Sequence, residues 1–495
     1  MPTSRFQIAV TVGAALALVA TGCHNLDFSP RYEPGEIGIF DNLFAVSVPD
    51  EKHAVAVGYL GTVYFTEDGG DTWKMGESGS IESLYSVSMA DALHGWAVGQ
   101  HGAILRTDDG GRTWSTQPNL KQNEGSHLFG IHAIDSKTAW VVGEWGSRIR
   151  TRDGGRTWED RSLTITFDHP QFVWLDSRDQ EKVRTGEKVY EDVGLNSVYC
   201  LPSHPNDCWI VGEFGYIFHS EDQGDTWVRG EIVGDIRIDP IDFGHNEIEI
   251  PPEDVEMLAQ FATQVGDATH LNILIEAFVS DREIAEFGSA DDPYQLFDVI
   301  SARIGEARAV LEDAGVLSDR FRLPSKPPWD YEDFLEDDPT FLQRYIDGRR
   351  ADKPTIRVGV IQNPYLYTVR FRDLESGLIA GLGGVVLQSQ DGGHTWRYRV
   401  MDRKQALFSV STFGDRAIAI GEKGFVRFSN DGGVTWAPPS GDEFPRVFTF
   451  MRDLDFEREQ RLGLIVGQEG MVLRSSDGGA TWSRVLPPES RGRGV

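Results

Sequence analysis

The chain has 495 residues, with 40% hydrophobic and 11% aromatic content, and 47 basic against 77 acidic side chains for a formal net charge of −30. That length exceeds one simple core and calls for a repeat architecture or several domains. The charge excludes a nucleic-acid partner, because phosphate binding needs a basic surface.

At the N-terminus, Arg5 precedes the apolar run IAVTVGAALALVATG, which reads as an export signal too short for a comfortable membrane span. It ends in Val19-Ala20-Thr21-Gly22-Cys23, which resembles a bacterial lipobox. The expectation is a signal peptide over residues 1–22, lipidation at Cys23 and a linker over 23–41. His24, not Asp, follows the cysteine. The protein is therefore expected in the cell envelope, lipid-anchored, on the periplasmic face of the outer membrane if the source has two membranes.

From residue 42 onward one unit recurs. An alternating run such as LYSVSMAD, LFGIHAID or LFSVSTF leads to an apolar strand and a tight glycine turn: VGYLG, VGQHG, VGEWG, VGEFG, AGLGG, IGEKG and VGQEG. A further strand then ends in a phrase of the form S/T-x-D-x-G-x-T-W. Its Asp and Trp are Asp68 and Trp73, Asp109 and Trp114, Asp153 and Trp158, Asp222 and Trp227, Asp391 and Trp396, Asp431 and Trp436, Asp477 and Trp482. The unit predicts four short antiparallel strands, and seven units predict an all-β, seven-bladed β-propeller of four-stranded blades. Blades 1–4 occupy residues 42–230, blades 5–7 occupy 364–486, and 487–495 form a tail.

The phrase suits a turn. The Asp carboxylate accepts backbone N–H groups of the loop after it, and glycine reaches positive φ without steric cost. In the fourth copy Gln223 replaces the first glycine while Gly224 keeps the second, so the second is expected to hold the more demanding dihedral. The phrase resembles the Asp-box of bacterial neuraminidase repeats, which implies a structural hairpin away from catalysis.

Cys200 and Cys208 flank the turn-rich LPSHPND, and in an exported chain they are expected to form a cross-strand disulfide. Two blade connections are enlarged, at about Glu159–Asp192 and over residues 231–363. Both join an outer strand to the next inner strand, so both should emerge on the face carrying the VGxxG turns. The larger reads as a mostly helical, acidic insertion between blades 4 and 5. PPEDVEMLAQFATQV, LNILIEAFVSDREIAEF, YQLFDVISARIGEARAVLEDAG and PTFLQRYIDG are the expected helices. Residues 230–353 carry 29 acidic and 11 basic side chains, a net of −18. That charge suits a solvated cap or a docking surface for a basic or membrane-bound partner.

Catalytic signals are weak, and no cofactor or metal is predicted. His245 and His270 lack a partner at metal-ligand spacing. FRLP at Phe321–Pro324 resembles the sialidase arginine motif but follows four Asp-boxes where that motif should precede the first. Glu144, Trp145, Glu213, Phe214 and Glu422, in the VGxxG turns, form the candidate binding face. Exposed aromatics there, Trp174 among them, would favour a glycan or peptide ligand. Arg370, Arg372, Arg397, Arg399 and Arg403 could form a small basic patch.

The combined unit, inner strand then VGxxG then ILRTDDGGRTW, resembles the photosystem II stability and assembly factor family from about Asn42 to Val485, the two insertions apart. The resemblance implies a non-enzymatic propeller that binds a newly made membrane protein and holds it for assembly. A membrane-protein or envelope complex is then the expected partner, with the membrane itself engaged through the lipid anchor. The alternative is a glycoside hydrolase of sialidase or xyloglucanase type, or a glycan-binding propeller. A hydrolase requires convergent carboxylates at the pore mouth.

Overall fold

In the computed structural model, the residues described are 36–485 without 39, 168, 170, 171, 173, 174, 234–237, 267–271, 288–293, 323–348, 362, 363, 400, 402 and 404. Cys23, Trp174, His270, Leu323, Pro324, the whole PTFLQRYIDG segment and the tail from 487 lie outside them. Seven antiparallel sheets succeed one another along the chain, and an eighth sheet lies in the large insertion. The inner strands are Leu43–Ser47, Leu84–Met89, Leu128–Ala133, Leu195–Leu201, Leu366–Phe371, Leu407–Phe413 and Met451–Phe456. Each lies beside the next, and the last lies beside the first, so the seven sheets close into a ring.

The apolar pattern explains the stacking. The second strands Ala54–Gly58, Gly95–Gly99, Ala139–Gly143, Gly377–Gly381 and Gly463–Gly467 are buried at every position. A strand covered on both faces reads as a continuous apolar run rather than an alternating one. Here the covers are the two neighbouring blades. One core cluster, for example, joins Leu43, Ala56 and Trp73 of blade 1 to Leu464, Val466 and Val472 of blade 7.

Between inner strands, side chains cap the open backbone. Ser47 Oγ accepts Met89 N–H at 3.0 Å, and Ser88 Oγ accepts Ala133 N–H at 3.0 Å. Where blade 7 meets blade 1 the acceptors are carboxylates. Asp453 takes Val46 N–H at 3.0 Å and Asp455 takes Val48 N–H at 2.8 Å. Both terminal blades are built from contiguous strands, so these hydrogen bonds stand where no strand is exchanged.

Three expectations need correction. The sixth sheet has three strands, and its fourth is reduced to a single bridge between Phe428 and Ala437. Pro438 and Pro439 follow at once and offer no N–H to a ladder. The insertion does not begin at 231. Glu231–Ile232 pairs in parallel with Thr395 and Trp396 of blade 5, the same departure step that Glu77 makes beside Thr113 of blade 2. Nor is every run read as a helix in the insertion helical. LNILIEAF is not a helix but the strand Asn272–Phe278, and TIRVGVI forms its antiparallel partner Thr355–Ile361. β-branched residues at alternate buried positions (Ile273 and Ile275; Ile356 and Val358) favour the sheet.

The insertion is a small α/β domain. Its sheet runs Ile241–Asp242, Thr355–Ile361, Asn272–Phe278, Phe321–Arg322, with helices Pro252–Gly266, Asp281–Phe287 and Tyr294–Asp313. Its core draws on no propeller residue. At its centre Ser280 and Glu283 form a reciprocal capping box at 3.2 and 3.3 Å. Arg303, as buried as Glu283, donates to that carboxylate at 2.6 Å and to the Glu247 carbonyl at 2.8 Å.

Candidate functional site

The Asp-box proves to be a joint as well as a turn. In blade 1, Thr66 Oγ1 donates to Asp68 at 2.8 Å, Thr72 N–H and Oγ1 donate to Asp68 at 2.9 and 2.6 Å, and Thr66 Oγ1 accepts Gly70 N–H at 3.0 Å. The same four bonds form at Asp109, Asp153, Asp222, Asp391, Asp431 and Asp477. The donors keep the carboxylates ionised. Asp222, led by the Thr226 N–H, and Asp431, led by the Thr435 hydroxyl, are both pushed down to about 2.

Both glycine positions lie at positive φ. Gln223 tolerates +57°, whereas Gly224 sits at +83°. A Cβ on Gly224 would come within 2.3 Å of Trp140, and one on Gly393 within 2.6 Å of Trp209. Both tryptophans belong to the preceding blade, and each also donates its indole N–H to the box: Trp140 to the Gln223 carbonyl at 2.9 Å, Trp209 to Gly392 at 2.8 Å. Gln388 does the same to Gly432 and Arg474 to Gly69, both at 2.7 Å. Single-unit reading missed this joint, because donor and acceptor lie in different repeats.

The VGxxG turns are single 3-10 turns or close relatives, with a left-handed fourth residue: Leu60, His101, Trp145, Phe214, Lys423 and Glu469 all have φ between 50° and 60°. That conformation throws the fourth side chain outward, so Trp145 is 49% and Phe214 40% exposed. The carboxylates one residue earlier are used differently. Glu144 accepts His127 N–H at 2.8 Å and Glu213 accepts Gly194 N–H at 3.0 Å, each holding the start of its own inner strand. Glu422 instead pairs with Lys423 at 3.4 Å. The three carboxylates therefore sit one per blade and do not converge.

Six aromatics are well exposed among the described residues: Phe40, Tyr59, Trp145, Phe167, Phe214 and Phe448. All six lie on the turn face. Tyr59, Trp145 and Phe214 are in the turns themselves. Phe448 adjoins the turn glycine Gly424. Phe167 follows Leu163, whose N–H bonds the turn carbonyl of Gly146 at 2.9 Å. Phe40 precedes Asp41, whose carbonyl accepts the turn N–H of Gly470 at 2.7 Å. The first described residues thus meet the propeller on this same face.

The axis holds a cavity of about 1260 Å³ lined by inner strands. His132, Tyr199, Arg370, Asp453 and Asp455 face it. The His132 and Tyr199 rings are 5.3 Å apart, and the Arg370 guanidinium lies 5.4 Å from the Tyr199 ring. Burial, with Arg370 nearby, takes His132 down to about 3. Burial raises both carboxyls against the pull of Arg370, Asp455 to about 7. Of the five arginines read as a patch, Arg370 lines the cavity and Arg372 pairs with Asp373 and Asp415 at 2.9 and 3.2 Å. Arg397 and Arg399 sit on the outer strand Thr395–Arg399, at the far side of the blade, and Arg403 follows it. The patch does not form. In blade 4 Cys200 and Cys208, paired across inner and second strands, are joined by a disulfide.

The family model described as photosynthesis system II assembly factor YCF48 matches residues 25–121, 79–170 and 351–441. Among solved structures the chain is similar to YCF48 bound to D1 peptide, at 15% identity over 90% of this chain and 98% of that one, with a TM-score of 0.46. It is similar to YCF48 from Cyanidioschyzon merolae at 16% identity over 90% and 97%, with a TM-score of 0.47. A GH74 xyloglucanase from Xanthomonas campestris is similar at 11% identity over 91% of this chain and 55% of its own, with a TM-score of 0.48. No curated protein matches the chain. In its repeat and its ring of Asp-box blades, the chain is similar to the photosystem II assembly factor family whose model it matches.

Proposed function

We propose that this protein is a non-enzymatic, exported and lipid-anchored scaffold that binds a membrane protein through the VGxxG face and supports its assembly or stability. The observation that carries the reading is the gathering of all six exposed aromatics on that face. Large aromatic rings, with few rotatable bonds to freeze, are enriched at the centres of protein interfaces. The family supports an assembly role. A chain anchored at Cys23 would meet the propeller at the turn of Gly470, which turns this face towards the membrane. The acidic insertion beside blade 4 suits a client with a basic loop.

The hydrolase reading finds less support. Asp453 and Asp455 are carboxylates lining the central cavity, and both accept backbone N–H groups of blade 1. Groups committed to ring closure are poor acid and base partners. The test is capture of crosslinked partners from membranes, with a variant lacking residues 235–361 alongside. A defined membrane-protein client, lost or weakened with the excision, supports the scaffold. Hydrolysis of a glycoside panel that disappears in Asp455→Asn, with no client captured, overturns it.

A further inference from the structure

At the Asp-box end of the junction between blades 4 and 5, three side chains from two repeats meet. His219 lies in the third strand of blade 4, Glu221 stands in that blade's Asp-box, and His394 in the Asp-box of blade 5. One ligand atom from each lies within 4.8 Å of the other two. The rings of His219 and His394 are 5.2 Å apart and nearly perpendicular. His219 is 95% buried, stacked on Trp209 at 5.1 Å, and its Nε2 makes no hydrogen bond. The Asp207 carboxylate stands 3.7 Å from that nitrogen, beyond hydrogen-bonding reach. A buried imidazole nitrogen without a partner is costly and asks for a ligand.

We propose that His219, Glu221 and His394 bind one divalent transition metal, of which zinc is the best fit, and that the metal staples blade 4 to blade 5. Two imidazoles and a carboxylate are a borderline-soft donor set, suited to zinc, cobalt, nickel or copper and unsuited to calcium or magnesium. Bonds of about 2.1 Å in a tetrahedron need donor atoms roughly 3.4 Å apart. Glu221 and His394 are exposed and free to close that distance, while His219 is fixed by its stack.

The place gives the staple a purpose. Blades 4 and 5 are the neighbours whose connection is interrupted by the large insertion. The chain secures this joint in several other ways: Trp209 stacks on Phe371 at 3.6 Å, and Glu231 N–H bonds the His394 carbonyl at 2.8 Å. That last bond fixes the backbone of a ligand. Two of the three ligands sit at variable positions of the repeated phrase, outside the Asp, Gly, Thr and Trp that the turn requires.

The test uses the full chain, purified without a histidine tag and titrated with zinc and, for spectroscopy, cobalt. The expected result is one saturable equivalent with tetrahedral cobalt absorption. His394→Ala and Glu221→Gln, both at exposed positions, should each weaken zinc at least tenfold with an unchanged circular dichroism spectrum. Zinc at a hundredfold excess over Kd should raise Tm by about 3 °C in the parent and not in His394→Ala. No saturable zinc binding, or equal affinity in the parent and both variants, overturns the site.

Discussion

Gly224 and Gln223 show how one repeated phrase divides its tasks. Gln223 occupies a left-handed conformation open to a non-glycine residue, so Gln223→Gly should change stability by no more than about 1 kcal/mol. Gly224→Ala must place a methyl against the Trp140 ring at φ +83° and should cost about 2–4 kcal/mol. Chemical denaturation of the two variants checks the contrast. The carboxylates of the boxes add a pH dependence. Asp222 and Asp431 have folded pKa values depressed to about 2 from 3.8. Their stabilisation is present above pH 4 and is lost as the pH falls towards 2. Asp455 runs the other way. Its pKa is raised to about 7, so its contribution is best below pH 4 and declines between pH 4 and 7. Asp455→Asn keeps an oxygen for Val48 N–H and should gain Tm over the parent as pH rises through that window, levelling above 7. Thermal melts from pH 4 to 8 decide it; a constant offset would contradict the assignment.

The elements were unequally legible. The blades could be read from sequence because each repeats its strands and glycine turns seven times, and the two-sided burial of the second strand leaves a plain apolar run. The joints between blades could not, since Trp209 and Gly392 are 183 residues apart. The insertion misled for a local reason. LNILIEAF has a helix-compatible pattern, and only its pairing with Thr355–Ile361 makes it a strand. This pairing also sets where the insertion can be cut. Excising residues 235–361 removes a domain with its own core and should leave a folded propeller. Stopping at 355 strands an apolar strand without its sheet and should give an aggregation-prone product. Size-exclusion chromatography of the two excisions separates the outcomes. Within the insertion, Glu283→Ala leaves Arg303 buried and unpaired, which should cost about 3–5 kcal/mol in that domain's unfolding while the propeller transition stays put.

For the whole molecule, the ring is a rigid platform with two unlike faces. The Asp-box face carries the joints and the proposed metal staple. The turn face carries the exposed aromatics, the point of entry of the N-terminal segment and the bases of both insertions. Little of this asymmetry follows from composition, because exposure at Trp145 and Phe214 depends on a left-handed backbone at the fourth position of each turn. The sequence did place Glu144, Glu213 and Glu422 in those turns, but it could not show that two of them turn back to hold their own blades. If the turn face binds, Trp145→Ala and Phe214→Ala should each lower client affinity roughly tenfold or more without changing Tm by more than a few degrees.

The most direct measurement is site-specific photo-crosslinking in cells of the source organism, with the photoreactive residue at 145 or 214 on the turn face and at 93 or 434 on the Asp-box face. The account predicts a discrete membrane-protein adduct from positions 145 and 214 and none from 93 and 434. Adducts from the Asp-box face alone, or from no position on either face, would contradict it.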